Sequence, residues 1–321
     1  MIDIQDKKDC CGCEACAQRC PRHCISLSED AEGFLYPKAD ASLCIQCGLC
    51  ESVCPVIHRG VARDPLSVFA AKNPDWETRR QSSSGGVFTL LAERTIAAGG
   101  VVFGARFDDS WEVVHSYTET LDGLAAFRSS KYAQSHIGDS YRQAERFLRQ
   151  GREVLFCGTP CQIAGLRRYL RKDYGNLLAV DFICHGVPSP GVFRRDWAEE
   201  MLEAGGAPTG ETEKHTVPSS ASPFLPERGS LGRGIAGIRL RAVSFRDKRL
   251  GWKKYSLVLS FFKATVAGKG GPVPPPPGKS PGASRDGPAV PVQPVHVRLP
   301  VRPVPASDLL RLSGQAPEKR Q

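Results

Sequence analysis

Cys10-Cys11-Gly12-Cys13-Glu14-Ala15-Cys16-Ala17-Gln18-Arg19-Cys20-Pro21 and Cys44-Ile45-Gln46-Cys47-Gly48-Leu49-Cys50-Glu51-Ser52-Val53-Cys54-Pro55 obey one spacing, C-x2-C-x2-C-x3-C-P, written twice. Three thiols at steps of three residues in a tight loop can converge on three corners of one small object. The fourth, at the start of the following helix, points away from it. Ten of the thirteen cysteines precede residue 55, so the pattern belongs to the N-terminal segment.

This doubled run is the signature of the bacterial two-cluster ferredoxin, in which the fourth cysteine of each run ligates the other [4Fe–4S] cluster. The predicted metal ligands are therefore Cys10, Cys13, Cys16 and Cys54 for one cluster. Cys44, Cys47, Cys50 and Cys20 are predicted for the second. Gly12 and Gly48 are expected to let backbone amides reach cluster sulfurs. Zinc favours two separated C-x2-C pairs, which neither run offers. A disulfide framework does not suit a cytoplasmic chain. Cys11 and Cys24 fall outside the spacing and read as small hydrophobes or spare thiols. Ile25–Glu29 and 34–37 read as short strands joined at 30–33.

The chain has 321 residues and a formal net charge of +9, with 41% hydrophobic residues. Residues 1–60 are acidic, six Lys/Arg against nine Asp/Glu, whereas residues 264–321 carry eight Lys/Arg against three Asp/Glu. The basic tail has no aromatic residue to stack on bases, so no nucleic-acid partner is expected. No run of eighteen apolar residues occurs and the N-terminus lacks a secretory pattern. The expectation is a cytoplasmic protein with no membrane span.

From about residue 66 the pattern becomes alternating strands and helices, an α/β sheet. Strands are expected at 67–71, 101–107, 111–118, 153–157, 177–184 and 256–262. Helices are expected at 87–94, 138–150 and 162–172, with another opening at Pro190. Three loops look chemical. Ser82–Gly86 places hydroxyls and glycines at a helix N-terminus, suited to a phosphate or to a simple Ser cap. Gly158-Thr159-Pro160-Cys161-Gln162 ends a strand and puts the Cys161 thiol where a helix dipole favours thiolate. Cys184-His185-Gly186-Val187-Pro188 offers His185 as a proton carrier. Cys161 and His185 are the candidate catalytic residues. The other histidines, His23, His58, His115, His136, His215 and His296, read as surface or core. No Walker A loop and no G-x-G-x-x-G occurs.

Ser83-Ser84-Gly85-Gly86, Ser130-Lys131-Tyr132, Gly158–Leu166 (GTPCQIAGL), Asp181–Pro190 and Ser244-Phe245-Arg246-Asp247-Lys248, beside the cysteine runs, resemble the family of coenzyme F-420 hydrogenase/dehydrogenase beta subunits, in its ferredoxin-fused form. The resemblance implies FAD near an iron–sulfur cluster. By it, Ser83, Ser84, Gly85, Gly86, Lys131, Gly158, Thr159, Pro160, Cys161 and Gln162 are the cofactor-binding residues. A flavin joins one-electron to two-electron chemistry. The expected function is an iron–sulfur flavoprotein oxidoreductase working with a redox partner protein or a small electron acceptor. The alternative is a ferredoxin-like carrier with a docking domain. A third reading, binding without turnover in a sugar-modifying pathway, has no residue of its own.

The fold class is thus α+β. A two-cluster ferredoxin domain spans 1–60, an α/β flavin-type domain spans 66–262, and a Pro-rich basic tail spans 264–321. Thirteen of the 25 prolines lie in 272–317, and no aromatic residue follows Phe262. Such a tail is expected to be disordered, or an out-of-frame continuation of a domain left incomplete. Pro208–Gly234 reads as a surface insertion.

Overall fold

The computed structural model describes residues 1–60, 65–195, 197, 238–247, 256–263 and 294–300. Pro208–Gly234, His215, Lys248 and most of 264–321 lie outside these residues.

The N-terminal unit is mixed helix and strand, of ferredoxin type. Strands β1 (Ile25–Glu29) and β2 (Leu35–Ala39) pair antiparallel, and short helices α1 (Ala15–Arg19) and α2 (Leu49–Ser52) follow the two cysteine loops. The doubled sequence produces a doubled backbone. Gly12 and Gln46, at equivalent places, have φ +62° and +54°; Glu14 and Gly48, two residues on, have +60° and +70°. Each loop needs two left-handed residues and supplies one glycine, at opposite places in the two loops. Gly12 and Gly48 are therefore not counterparts.

Helix α3 (Trp76–Gln81), which the periodicity did not suggest, precedes α4 (Val87–Ala97). Strands β3 (Val101–Phe107) and β4 (Val113–Thr118) form the expected hairpin. After them come α5 (Ser140–Arg149), β5 (Val154–Gly158), α6 (Pro160–Leu170) and β6 (Leu177–Asp181). The sheet order is β4-β3-β5-β6, with β3, β5 and β6 parallel and β4 antiparallel at one edge.

The period-2 alternation of the central strands sets the layers. Val101, Phe103, Val154 and Phe156 pack with Tyr141, Phe147, Leu166 and Tyr169 of α5 and α6. Val102 and Leu155 face the other way, onto Ala92 of α4 and Leu124. The first of these cores continues into the N-terminal unit, taking in Cys13, Ala15 and Val53.

Three expectations are corrected. Residues 67–71 form no strand: Val68 and Phe69 are 84% and 85% exposed, and the stretch has no partner ladder. β6 stops at Asp181 rather than Cys184, leaving Phe182 and Ile183 exposed beyond its end. The tail is not wholly without regular structure: Pro294–Pro300 forms a strand, β9, antiparallel to β8 (Ser256–Lys263), which pairs in turn with β7 (Ile238–Asp247). Alternating Val295, Val297 and Leu299 give that stretch the period of a strand despite its proline-rich surroundings. Phe245 of β7 stacks on Phe107 and Phe193.

Candidate functional site

Two cavities sit in the N-terminal unit. One is lined by Cys10, Cys13, Cys16 and Cys54, with Cys11 beside them. The other is lined by Cys20, Cys44, Cys47 and Cys50, with Cys24 beside them. Each gathers three thiols from one run and the fourth from the other, the crossed arrangement read from the spacing. Among the described residues no three Cys, His, Asp or Glu side chains converge where a single metal ion could sit. The thiols instead ring two volumes. That fits a cubane, with four ligands on four separate irons, better than a lone zinc at about 2.3 Å from each sulfur. Burial pushes Cys10 up and Cys16 up to about 12, so thiolates here need the positive charge of iron beside them. Backbone amides reach sulfur at several of the predicted ligands: Ile2 N donates to Cys50 Sγ at 3.2 Å, Gln46 N to Cys44 Sγ at 3.4 Å, and the Gly12 and Ala17 amides serve Cys10 and Cys16.

The two cavities differ in surroundings. Around the Cys20/Cys44 cavity, Cys47 is exposed and Ile45 is 60% exposed, so this one is the outer. The Cys10/Cys54 cavity is the inner. Its loop lies on α6, where Gly165 faces Cys13 and the Cys11 thiol neighbours Cys161.

Helix α1 binds α5 from below. Glu14 Oε1 accepts from Ile137 N and His136 Nδ1, both at 2.7 Å, and Oε2 accepts from Gly138 N at 3.0 Å. Gln18 Oε1 accepts from Tyr141 N and Arg142 N at 3.1 and 3.3 Å. The amides of Ile137 and Gly138, just ahead of α5, and of Tyr141 and Arg142 in its first turn are thus satisfied from another part of the chain. A second clasp joins the turn after β1 to the 189–194 stretch. Glu32 O accepts from Gly191 N at 2.9 Å and from Ser189 Oγ, and Arg194, 2% exposed, pairs with Glu29 and lies 3.6 Å from Glu112. The 181–188 stretch itself, His185 included, is exposed; what the structure binds from this loop is Ser189 and Gly191.

The GTPCQ segment is a helix start. Thr159 is the N-cap of α6, Pro160 its first residue and Gln162 the third, in a capping box with Thr159 N donating to Gln162 Oε1 at 2.9 Å. That T-x-x-Q signature was present in the sequence. Gln162 Nε2 donates to Ser135 Oγ at 2.9 Å, Ser135 Oγ lies 2.7 Å from His115 Nδ1, and His115 Nε2 lies 3.1 Å from the Cys157 carbonyl. Because a carbonyl only accepts, the proton is assigned to Nε2; Ser135 then donates to a bare Nδ1. Burial lowers the His115 pKa to about 4, so the ring is neutral. His115, read as an ordinary surface or core residue, is the polar centre behind this loop.

Cys161 does not carry the dipole-favoured thiolate that its position suggested. Its hydrogen bond with Cys11, then burial, hold it strongly protonated. Lys131 Nζ donates to the carbonyls of Ala126, Arg128 and Ser129 at 2.9, 2.8 and 3.3 Å, and burial lowers its pKa to about 7. Ser83 Oγ accepts from Ser130 N at 2.7 Å. Ser130 thereby ties the Ser82–Gly86 loop to the segment that carries Lys131, whose charge reaches Cys157 at the end of β5.

Residues 9–57 match the 4Fe-4S dicluster domain family. Residues 151–207 match the C-terminal domain of the coenzyme F-420 hydrogenase/dehydrogenase beta subunit. This is the family to which the motifs pointed. Among curated proteins, the chain is 25% identical over 190 residues to one subunit of the F(420)H(2) dehydrogenase of Methanosarcina mazei, covering 54% of this chain and 53% of that one. The chain thus spans about half the length of the curated relative it matches. A solved F-420-reducing [NiFe] hydrogenase complex from Methanosarcina barkeri aligns at 16% identity and TM-score 0.32, covering 41% of this chain and 46% of that one, too slight a likeness to carry an argument. Among the described residues no helix is long and apolar enough to cross a membrane.

Proposed function

We propose that this chain is an iron–sulfur flavoprotein oxidoreductase, passing electrons between two [4Fe–4S] clusters and a flavin or deazaflavin-type acceptor. The observation that carries the reading is the crossed gathering of eight cysteines round two cavities, the inner one built against α6. Cys10, Cys13, Cys16 and Cys54 hold the inner cluster; Cys20, Cys44, Cys47 and Cys50 hold the outer. When bound, the clusters supply one-electron transfer and a flavin supplies its exchange with two-electron chemistry. Ile4, Leu27 and Val56 line the inner site and help keep water from it, while the exposed Cys47 marks the side open to a redox partner protein. FAD would lie along Ser83–Gly86, Lys131 and Gly158–Gln162, with Cys161 and His185 the catalytic candidates. In this reading 1–60 is the ferredoxin domain, 66–262 the flavin-type domain and 264–321 an appended tail, in a cytoplasmic protein.

One observation favours the alternative, a ferredoxin-like carrier with a docking domain. The residues expected to meet a flavin already have partners within the chain: Lys131 in three carbonyls, Ser83 in Ser130, Cys161 in Cys11. An anaerobic count of iron, acid-labile sulfide and flavin per purified chain separates the two. About eight iron, eight sulfide and one flavin support the oxidoreductase. The same iron and sulfide with no flavin, even after incubation with FAD, leaves the carrier. A chain that takes up no iron sinks both.

A further inference from the structure

The two cysteine loops share a backbone but not their support. Each turns on two left-handed residues, Gly12 and Glu14 in the inner loop and Gln46 and Gly48 in the outer. In the outer loop Gln46 is exposed, and a Cβ on Gly48 would meet nothing within 4 Å. In the inner loop both left-handed residues are held by one stretch of the second domain, 134–138. Its far end secures Glu14 through His136, Ile137 and Gly138. Its near end lays Gln134 on Gly12: a Cβ there would fall on the Gln134 amide, 3.2 Å from Cδ. Gln134 Oε1 accepts from Leu35 N at 3.2 Å, which fixes the side chain across the loop. The stretch is tied in turn to β4, with His136 N on the Val113 carbonyl and His115 N on the His136 carbonyl, both at 2.8 Å. Gly12 N is the amide that serves the Cys10 sulfur.

We propose that Gln134 is a positioning residue of the inner cluster: it holds Gly12 so that the glycine amide stays on the Cys10 sulfur, and so keeps that cluster easier to reduce. The inference rests on the two-cluster reading above. A reduced cluster is the more negative of its two states. An N–H aimed at a ligand sulfur favours that state, so hydrogen bonds to sulfur raise the potential. Glycine is the residue whose backbone is least restrained, and what limits its rotation also aims its N–H. Gln134 supplies that limit by occupying the place of the side chain that Gly12 lacks. It does so from the second domain, whereas the outer loop has no such support at Gly48. Gln134 touches Gly12 and Leu35 and acts on the sulfur only through the Gly12 amide.

The test is anaerobic reconstitution of the full chain, of Gln134→Met and of Gln134→Leu, followed by an iron count and a redox titration monitored by EPR. Both substitutions keep bulk against Gly12 and remove the acceptor for Leu35 N. The outer wave is identified as the one that Cys47→Ser moves. Each Gln134 variant is expected to hold about eight iron. The inner midpoint is expected to fall while the outer stays in place; a side chain that only fills space would leave both midpoints where they are. If one variant loads poorly, the other is read. An inner midpoint that is unchanged or raised overturns the proposal. An equal shift of both clusters overturns it too, because the change would then not act through Gly12. Inner iron lost from both variants also overturns it, since Gln134 would then build the site rather than tune it. A wild-type chain without iron removes the cluster reading itself.

Discussion

A methyl group on Gly165 would lie 3.1 Å from the Cys13 sulfur and 3.0 Å from the Tyr141 hydroxyl. The missing side chain of one helix residue is what lets the inner cysteine loop rest on the second domain. Gly165→Ala forces a shift of a few tenths of an ångström on a cysteine that cannot move while it holds iron. Overpacking of this kind costs about 1–3 kcal/mol. The loaded variant is expected to lose inner-cluster iron and to unfold at lower denaturant, while the outer cluster is retained. Full iron with unchanged stability would show that the loop does not need this contact.

Glu14→Ala leaves the N–H groups of Ile137 and Gly138 without their acceptor at a buried junction. Each unsatisfied donor costs about 1–3 kcal/mol. Denaturant unfolding of the loaded chain should show a loss of that order, with Glu14→Gln, which keeps one acceptor oxygen, losing less. Equal stability of Glu14→Ala and wild type would mean that water replaces the carboxylate and the junction is loose.

Gly33 has φ +87°, and a Cβ there would sit 2.5 Å from the Gly191 nitrogen and 3.0 Å from its Cα. Those are backbone atoms, which cannot swing aside. Gly33→Ala combines a conformation that L-residues avoid with a clash, together worth about 2–3 kcal/mol. It is expected to release the 189–194 stretch, read as faster proteolytic cutting around residues 182–192. An unchanged digestion pattern would count against this clasp.

The neutral His115 makes stability depend on pH. Its folded pKa, about 4, lies below its unfolded value of 6.5, so the unfolded chain binds the proton first as pH falls. The contribution is complete above pH 6.5 and is lost progressively between 6.5 and 4. Between about pH 7.5 and 5.5 the wild type should lose about 1 kcal/mol from this group alone. His115→Gln keeps hydrogen-bonding groups but cannot titrate, and its stability should be flatter by that amount over the same window. Parallel pH curves for the two proteins would rule out a buried, neutral ring at 115.

The thiol spacing carried the gathering of the two quartets because ligand sets repeat at fixed intervals, whatever lies around them. The sheet was legible for a similar reason: Val101–Phe103 and Val154–Phe156 bury both faces and read as short apolar runs. The junction was not legible. Glu14, just ahead of α1, and Gln18 on it read as solvated polar residues, and nothing local says that the amides of α5 will lie beneath them. His115 was missed because its partners, Ser135, Cys157 and Gln162, come from three other segments. Residues 67–71 misled in the other direction, since a short apolar run makes a strand only where another strand is there to pair with it.

Because α1 carries the acceptors for the start of α5, the N-terminal unit is no detachable cable. Whatever binds between the cysteines and orders their loops also fixes Glu14 and Gln18, and ligand binding to the folded state is stability for everything coupled to it. Iron supply and the lifetime of the second domain are thereby tied together. A chain starved of metal would hold its α/β half more weakly and be cleared sooner. On the proposed reading, the fusion of the two units would couple the filling of the clusters to the stability of the second domain.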